Sequence, residues 1–348
     1  MPLHQPAPVT LPRDGPGLAD ALPMASMVIP ARNASATLAA CIEAALASRY
    51  PHFEVVIVDD ASDDETSAIA ARYPCRLVRL RRRHGAAAAR NAGAAAAAGE
   101  ILFFTDADCQ VEPDALALAV EALAATKGPA AIGGSYTPIP ADPGFYSAFQ
   151  SVFVNHFETA AAMPDYVATH ALAIRAADMA TAGGFPDLGL PILEDVAFSH
   201  RFRRNGGAVL MRPDLLVRHH FGFDLRGSLA NAVRKTRHWV AYSLDAGDLL
   251  ADSGTASRAL KLTVAGHAVA AFSSLLAAVL ATPEFLLGVM ALLPGLLASR
   301  RLILSFRRHM GRRSGAMATS YYLLIYPFAI EWGTLLGMLD QRRRSRPE

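Results

Sequence analysis

The chain has 348 residues, 52% of them hydrophobic and 18% charged, with a formal net charge of +2 and a mean hydropathy of +0.24. That length holds one sizeable α/β domain plus an appendage, and the arginines gather in the last fifty residues, which points to a membrane flank and away from a nucleic-acid surface. Three cysteines, Cys41, Cys75 and Cys109, lie far apart with no CxxC and no zinc spacing, so reduced, partly buried thiols in a cytosol-facing domain are expected.

In chain order, residues 1–24 begin MPLHQPAPVTLPRDGPG, rich in Pro and without an apolar h-region, and are expected to be a flexible tail and not a signal peptide. Residues 26–30 (SMVIP) read as a short strand, followed by a helix over 31–46 with Asn33 and Ser35 able to cap it. PHFEVVIVDD (51–60) is a β-branched run of the kind buried on both sheet faces. A helix then follows with acids in its first turn. CRLVRL (75–80) is a third strand, HGAAAARNAGAAAAAG (84–99) a helix bounded by glycines, and ILFFTDAD (101–108) a fourth strand. PDALALAVEALAAT (113–126) opens with Pro at a helix start, and AAIGGSY (130–136) is a fifth strand. Strands alternating with helices of about a dozen residues predict a mostly parallel, doubly wound sheet.

ILFFTDAD carries the chemistry. An apolar strand ending in Thr and two acids pushes Asp106 and Asp108 out at the carboxyl edge of the sheet, where ligands collect. Two carboxylates one residue apart suit Mg²⁺ or Mn²⁺, which prefer oxygen ligands completed by water and phosphates. Gln110 offers a third oxygen. An isolated pair of this kind is also met as a solvated turn in which Asp106 caps the next helix. Asp59 and Asp60, at the end of the neighbouring strand, are expected to face the same crevice. Four converging acids repel one another without a cation or a donor-rich ligand among them. With no GxGxxG after the first strand and no GxxxxGK[ST], dehydrogenase and P-loop chemistry are disfavoured, and a nucleotide carried through a metal on carboxylates fits better.

Four stretches, MVIPARNASATLAACIEAALA, VVIVDDASDDET, GAAAARNAGAAAAAGEILFFTDAD and GGFPDLGLPILEDVAFSHRFRRNGG, in that order and at these spacings, resemble the family 2 glycosyltransferases with the GT-A fold of nucleotide-diphospho-sugar transferases. The resemblance covers about residues 25–220 and implies a GT-A domain over 25–224. It also implies that Pro30, Ala31 and Asn33 line a nucleotide pocket, that Asp60 with Asp59 beside it binds base or ribose, and that Arg90 lies close to the diphosphate. Asp106 and Asp108 are then the DxD pair, with Asp108 the direct metal ligand and Gln110 a second one, and Asp195 in LEDVAF is the catalytic base, with inversion at the anomeric carbon. The QxxRW motif of processive members is replaced by RKTRHW (234–239), so a polymerising synthase is not expected. Arg234, Lys235 and Arg237 could bind a diphosphate or lipid phosphate, or form a solvated face. His219 and His220 could hold metal or product phosphate, although adjacent histidines are more often structural.

Residues 225–258 read as an amphipathic interfacial segment with Trp239 and Tyr242 among basic residues, and 259–348 as a membrane region of two or three helices. Residues 262–283 are uncharged for long enough to cross a core of about 30 Å. Residues 285–299 form a shorter second segment, returning through a basic loop of Arg300, Arg301, Arg307, Arg308, Arg312 and Arg313 that the positive-inside rule places in the cytoplasm. Residues 316–339 form a third, spanning or interfacial; if it spans, Arg342, Arg343, Arg344 and Arg346 end outside, against the rule. The expectation is thus a transferase with Mg²⁺ or Mn²⁺, a nucleotide-diphospho-sugar donor and a lipid or lipid-linked acceptor, in a bacterial-type inner membrane with its catalytic domain facing the cytoplasm. The rivals are a non-catalytic membrane protein with a transferase-like domain, and a sugar-nucleotide enzyme of another reaction class, which would want a glycine-rich, Lys-bearing loop where this chain has SMVIPARN.

Overall fold

The computed structural model of the protein describes residues 22–281 and 285–344. Most of the tail expected over 1–24, the end of the first apolar segment at Pro283, and Arg346 lie outside the described residues. Strands β1 (Ala25–Ala31), β2 (Phe53–Asp59), β3 (Arg76–Arg79) and β4 (Ile101–Phe104) alternate with helices α1 (Leu38–Leu46), α2 (Thr66–Ala70) and α3 (Ala86–Ala96). Then come β5 (Cys109–Val111), α4 (Ala115–Ala124), β6 (Ala130–Tyr136), α5 (Phe145–Glu158), β7 (Leu172–Arg175), α6 (Ala176–Thr181), α7 (Glu194–Arg204) and β8 (Ala208–His219). One eight-stranded sheet results, in the order β3-β2-β1-β4-β7-β6-β8-β5.

The half that reads as strand-helix alternation, β3-β2-β1-β4, is parallel throughout. β7 then enters antiparallel to both β4 and β6, and β5 pairs antiparallel with β8, so the sheet as a whole is mixed. Successive residues of the central strands supply opposite faces. Met27, Ile29 and Phe103 face a core shared with Leu38, Ile42 and Leu116, whereas Val28, Leu102 and Phe104 face one shared with Ile174, Phe198 and Phe202. Gly93 lets α3 lie tight on the sheet, because a Cβ there would stand 2.3 Å from a Val28 methyl. The edge strand β3 is short and carries Arg76 and Arg79 on its exposed positions, which discourages pairing with another chain.

The remaining helices are α8 (Leu225–Ala246), α9 (Arg258–Leu280), the short α10 (Phe285–Val289) and α11 (Leu292–Ala298), then α12 (Arg300–Ser320) and α13 (Tyr326–Arg344), joined by a π-helical turn over Tyr321–Ile325. They do not float free of the sheet domain. Phe149 of α5 stacks on Phe306 at 5.2 Å and meets Tyr321 edge-on at 4.8 Å, and these rings belong to the same core as Phe103 and Leu38. α8 is covered by α13, where Gly333 and Gly337 bring the backbones together: a Cβ at Gly337 would stand 2.6 Å from the Arg237 carbonyl oxygen. Residues 285–299 do not make a second long segment; α10 and α11 fold back along α9, with Gly266 and Gly295 at the closest approaches. The basic stretch is helical and not a loop, interrupted at Gly311, whose φ of 79° breaks the helical path. Two helices among the described residues, Arg258–Leu280 and Arg300–Arg343, are long and apolar enough to cross a membrane.

Candidate active site

The loop after β1 shapes the first half of the site. A helix capped by Asn33 or Ser35 was expected, but the chain turns at Asn33, which has a φ of 49°, and α1 begins only at Leu38, after Thr37. Polar cross-links explain the delay: Asn33 donates its N–H to Ser62 Oγ at 3.0 Å and accepts the Asp63 N–H at 2.8 Å, while the Ala34 N–H donates to Thr66 Oγ1 at 2.8 Å. These bonds satisfy backbone groups that a helix would otherwise use. The loop, the end of β2 and the start of α3 enclose a cavity of about 590 Å³ lined by Pro30, Ala31, Asn33 and Asp60. Asp60 accepts the backbone N–H groups of His84 at 2.7 Å and Gly85 at 2.8 Å, so it also fixes the loop that leads into α3. Asp59 takes another course. Its carboxylate accepts from the Ser62 N–H at 2.9 Å and from the Ser62 and Ser67 hydroxyls, a turn-closing role that keeps it off the cavity wall.

At the end of β4, Asp106 and Asp108 stand where this cavity meets a second, larger one. Arg90 of α3 is buried between two carboxylates, donating to Asp106 Oδ1 at 2.6 Å and to Glu194 Oε1. Burial works against its charge, but Asp106 and Glu194 prevail and raise its pKa. Burial also works on Asp106, yet Arg90, His170 and His219 hold its carboxyl below the usual range. Asp108 lacks a guanidinium partner; burial and the charge of Asp106 push it up to about 7. A pair in which one acid is held ionised and its neighbour is driven toward neutrality is what a divalent cation reverses.

The third ligand expected from sequence does not arrive. Gln110 sits on β5 opposite Arg218 and lines neither cavity, whereas His219, one residue along β8, brings Nε2 to 3.4 Å from Asp108 Oδ1. Burial lowers the His219 pKa to about 3, leaving a neutral imidazole able to act as a ligand. Ligand atoms of Asp108, Cys109 and His219 lie within 4.8 Å of one another. Burial drives the Cys109 thiol far above its ordinary pKa, and the carboxylates of Asp108 and Asp106 beside it offer the oxygen ligands that Mn²⁺ and Mg²⁺ prefer.

The larger cavity, about 850 Å³, opens on the other side of the acids. Leu193, with φ at 81°, turns the chain into α7, whose first residues part company: Glu194 reaches back to Arg90, and Asp195 faces the large cavity alone. Asp195 accepts the Val196 N–H at 2.8 Å and the Thr169 N–H at 3.4 Å, and burial, followed by the Glu194 charge, raises it to about 6. Across the cavity, His170 pairs with Glu158 at 3.2 Å and stacks on Tyr136 at 4.0 Å. Sequence reading passed over this pair, because neither residue stands in a motif. Arg234, Lys235 and Trp239 of α8 line the same cavity; Arg237 instead binds Asp340 of α13 at 2.5 and 3.0 Å. The two cavities share Arg90, Asp106, Asp108, Glu194 and His220 as a common wall.

A mixed α/β sheet curled around two cavities that meet at paired acids defines the class of nucleotide-sugar transferase folds known as GT-A. Over its full length the chain is similar to the mannosyltransferase PcManGT from Pyrobaculum calidifontis, solved in complex with GDP-Man and Mn2+, with a TM-score of 0.58 and 19% identity over 93% of this chain and 88% of that one. Residues 26–178 match the family model described as glycosyl transferase family 2, and this match, with the glycosyltransferases among the relatives, supports a family 2 glycosyltransferase. Among curated relatives it is 38% identical to the succinoglycan biosynthesis protein ExoO of Rhizobium meliloti over 30% of this chain and 31% of that protein. It is 28% identical to the glycosyltransferase AglE of Haloferax volcanii, over 33% of this chain and 40% of that one. The chain thus spans about a third of the length of the curated relatives it matches.

Proposed function

We propose that the protein is an inverting, metal-dependent glycosyltransferase that moves a sugar from a nucleotide-diphospho-sugar to a membrane-held acceptor in cell-envelope glycan or glycolipid synthesis. The observation that carries this reading is the shared wall: one cavity is bounded by the β1 and β2 loops, the other runs from the same acids to α9 and α13, and Asp195 faces only the second. The nucleotide belongs in the first and the acceptor in the second. Asp108, with Asp106 and His219, would hold Mg²⁺ or Mn²⁺. Such an ion neutralises charge on the departing nucleoside diphosphate.

The chain's own residues supply the rest. Asp60 and Asn33 order the loops around the nucleotide. Arg90 keeps Asp106 ionised and Glu194 occupied, which leaves Asp195 as the free carboxylate on the acceptor side. Ionised Asp195 takes the proton of an acceptor hydroxyl as that oxygen attacks the anomeric carbon. The bond to the diphosphate breaks on the opposite face, and a single displacement inverts the centre. Apolar residues of α9 and α13 bring the acceptor to this geometry at a bilayer surface, with the catalytic domain on the cytoplasmic side of a bacterial-type membrane.

The test is transfer from a panel of UDP-, GDP- and dTDP-sugars by the detergent-solubilised protein, with Mn²⁺ or Mg²⁺ and with or without a membrane lipid extract. Metal-dependent release of one nucleoside diphosphate, stimulated by lipid and abolished in Asp108→Ala, is expected. Silence across the panel from a folded protein would overturn the reading.

A further inference from the structure

On α8, Arg234 and Lys235 both line the larger cavity, whose wall also holds Asp106, Asp195 and Glu158 and the apolar residues Val240, Leu260 and Ile330. Among the described residues Lys235 makes no hydrogen bond and no ion pair. The carboxylates near enough to act on it are Glu158, Asp195 and Asp106. Glu158 is already matched by His170 and by the Ser135 hydroxyl at 2.7 Å, and Asp106 by Arg90. Lys235 is an exposed cation that opens onto the cavity beside the equally exposed Arg234, with no ion-pair partner of its own among the described residues. Desolvation on the cavity wall lowers its pKa and Arg234 lowers it further, so the position favours an anion that would relieve both. Beyond Lys235 the wall turns apolar, with Val240 of α8, Leu260, Val264 and Ala268 of α9, and Ile330 of α13. The nucleotide-side cavity does not include Lys235.

We propose that Lys235, with Arg234 beside it, holds a phosphoryl group at this junction, and that the acceptor is a phosphoryl-bearing lipid whose hydrocarbon lies between α8, α9 and α13. The proposal rests on the transferase reading and narrows its acceptor. A neutral glycerolipid or sterol-like acceptor would fill the apolar arm but make no use of the two adjacent cations, Arg234 and Lys235, on the cavity wall. An anionic headgroup supplies charge-assisted bonds there and points the chain away from the acids, which repel it.

The chain has two tryptophans, and Trp239 lines the cavity, so its fluorescence reports binding once Trp332 is replaced by Phe. In neutral detergent the full chain is titrated with farnesyl phosphate, with farnesol and with inorganic phosphate. Farnesyl phosphate is expected to bind at least about tenfold more tightly than farnesol, the ratio expected of one charge-assisted bond. Lys235→Gln should reduce that ratio to near one, and Lys235→Arg should restore most of it. Equal binding of the two farnesyl compounds, or an unchanged ratio in Lys235→Gln, would overturn the proposal. So would a Lys235→Gln variant that loses affinity for a nucleoside diphosphate with Mn²⁺ and not for farnesyl phosphate, since the cation would then serve the donor. Nucleoside diphosphate binding by the wild type reads the transferase reading separately: its absence would sink that reading while the farnesyl comparison still stands.

Discussion

Asp195 and Arg90 decide whether the site can work as a base-catalysed transferase, and each makes a separate claim. A carboxylate base acts only when ionised, and with its pKa raised to about 6 Asp195 is half ionised at that pH. Transfer should therefore fall about tenfold per pH unit below 6 and level off above it, a profile read from initial rates between pH 4.5 and 8. Asp195→Asn should retain donor binding and lose about 10³-fold in transfer, and turnover near the wild-type rate would remove the base assignment. Arg90→Ala strands Glu194 and Asp106 as facing carboxylates in a largely buried setting, for an expected loss of about 3 kcal/mol. Thermal melting in detergent should show it as a fall of several degrees. At this scale much was legible from sequence, because Asp60, Arg90, Asp106, Asp108 and Asp195 all line a cavity. What was not legible follows from strand geometry. Gln110 and His219 lie on the paired strands β5 and β8, and which of the two points at Asp108 depends on a register between residues about 110 apart in sequence. Asp59 differs from Asp60 only in facing Ser62 and Ser67, an alternation that no composition reveals.

Among the elements, the parallel half of the sheet could be read directly, since four apolar runs alternate with helices of matching length. β7 and β8 could not. β7 is four residues long, and β8 carries Pro213 within it, a residue that argues against a strand except at an irregularity, and it falls where the pairing with β6 shifts register between Met211 and Leu216. The delayed start of α1 was hidden for a similar reason, because its competitor for the backbone N–H groups lies in the loop after β2. The glycine pair in WGTLLG of α13 was a signal available to sequence reading, since small residues four apart mark close helix contact. Gly337→Leu should push α13 off α8 by forcing side-chain atoms into the Arg237 carbonyl and Val240. An overpacking cost of about 2 kcal/mol is expected, seen as a lower melting temperature, and an unaltered melt would mean that the two helices are not held by that seam.

For the molecule as a whole, the helices after residue 258 divide their surfaces. α12, the π-turn and α13 are locked through Phe306, Tyr321 and Tyr326 into the aromatic cluster around Phe149, whereas α9 and α13 leave Phe272, Leu275, Val279, Phe328 and Trp332 exposed. Large apolar side chains exposed along helices long enough to cross a membrane need a non-aqueous neighbour, so the protein should stay with membranes through an alkaline carbonate wash and leave them only in detergent. Release by carbonate would show that the helices do not enter the bilayer. The division of labour between the cavities reaches past mechanism into descent. The smaller cavity is walled by residues before 221, whereas the apolar end of the larger one is walled mostly by residues after 224. A recombination joint near Gly222, in the stretch that links β8 to α8, would exchange one set while keeping the other. On the proposed assignment of the two cavities, such an exchange would alter the acceptor while keeping the donor.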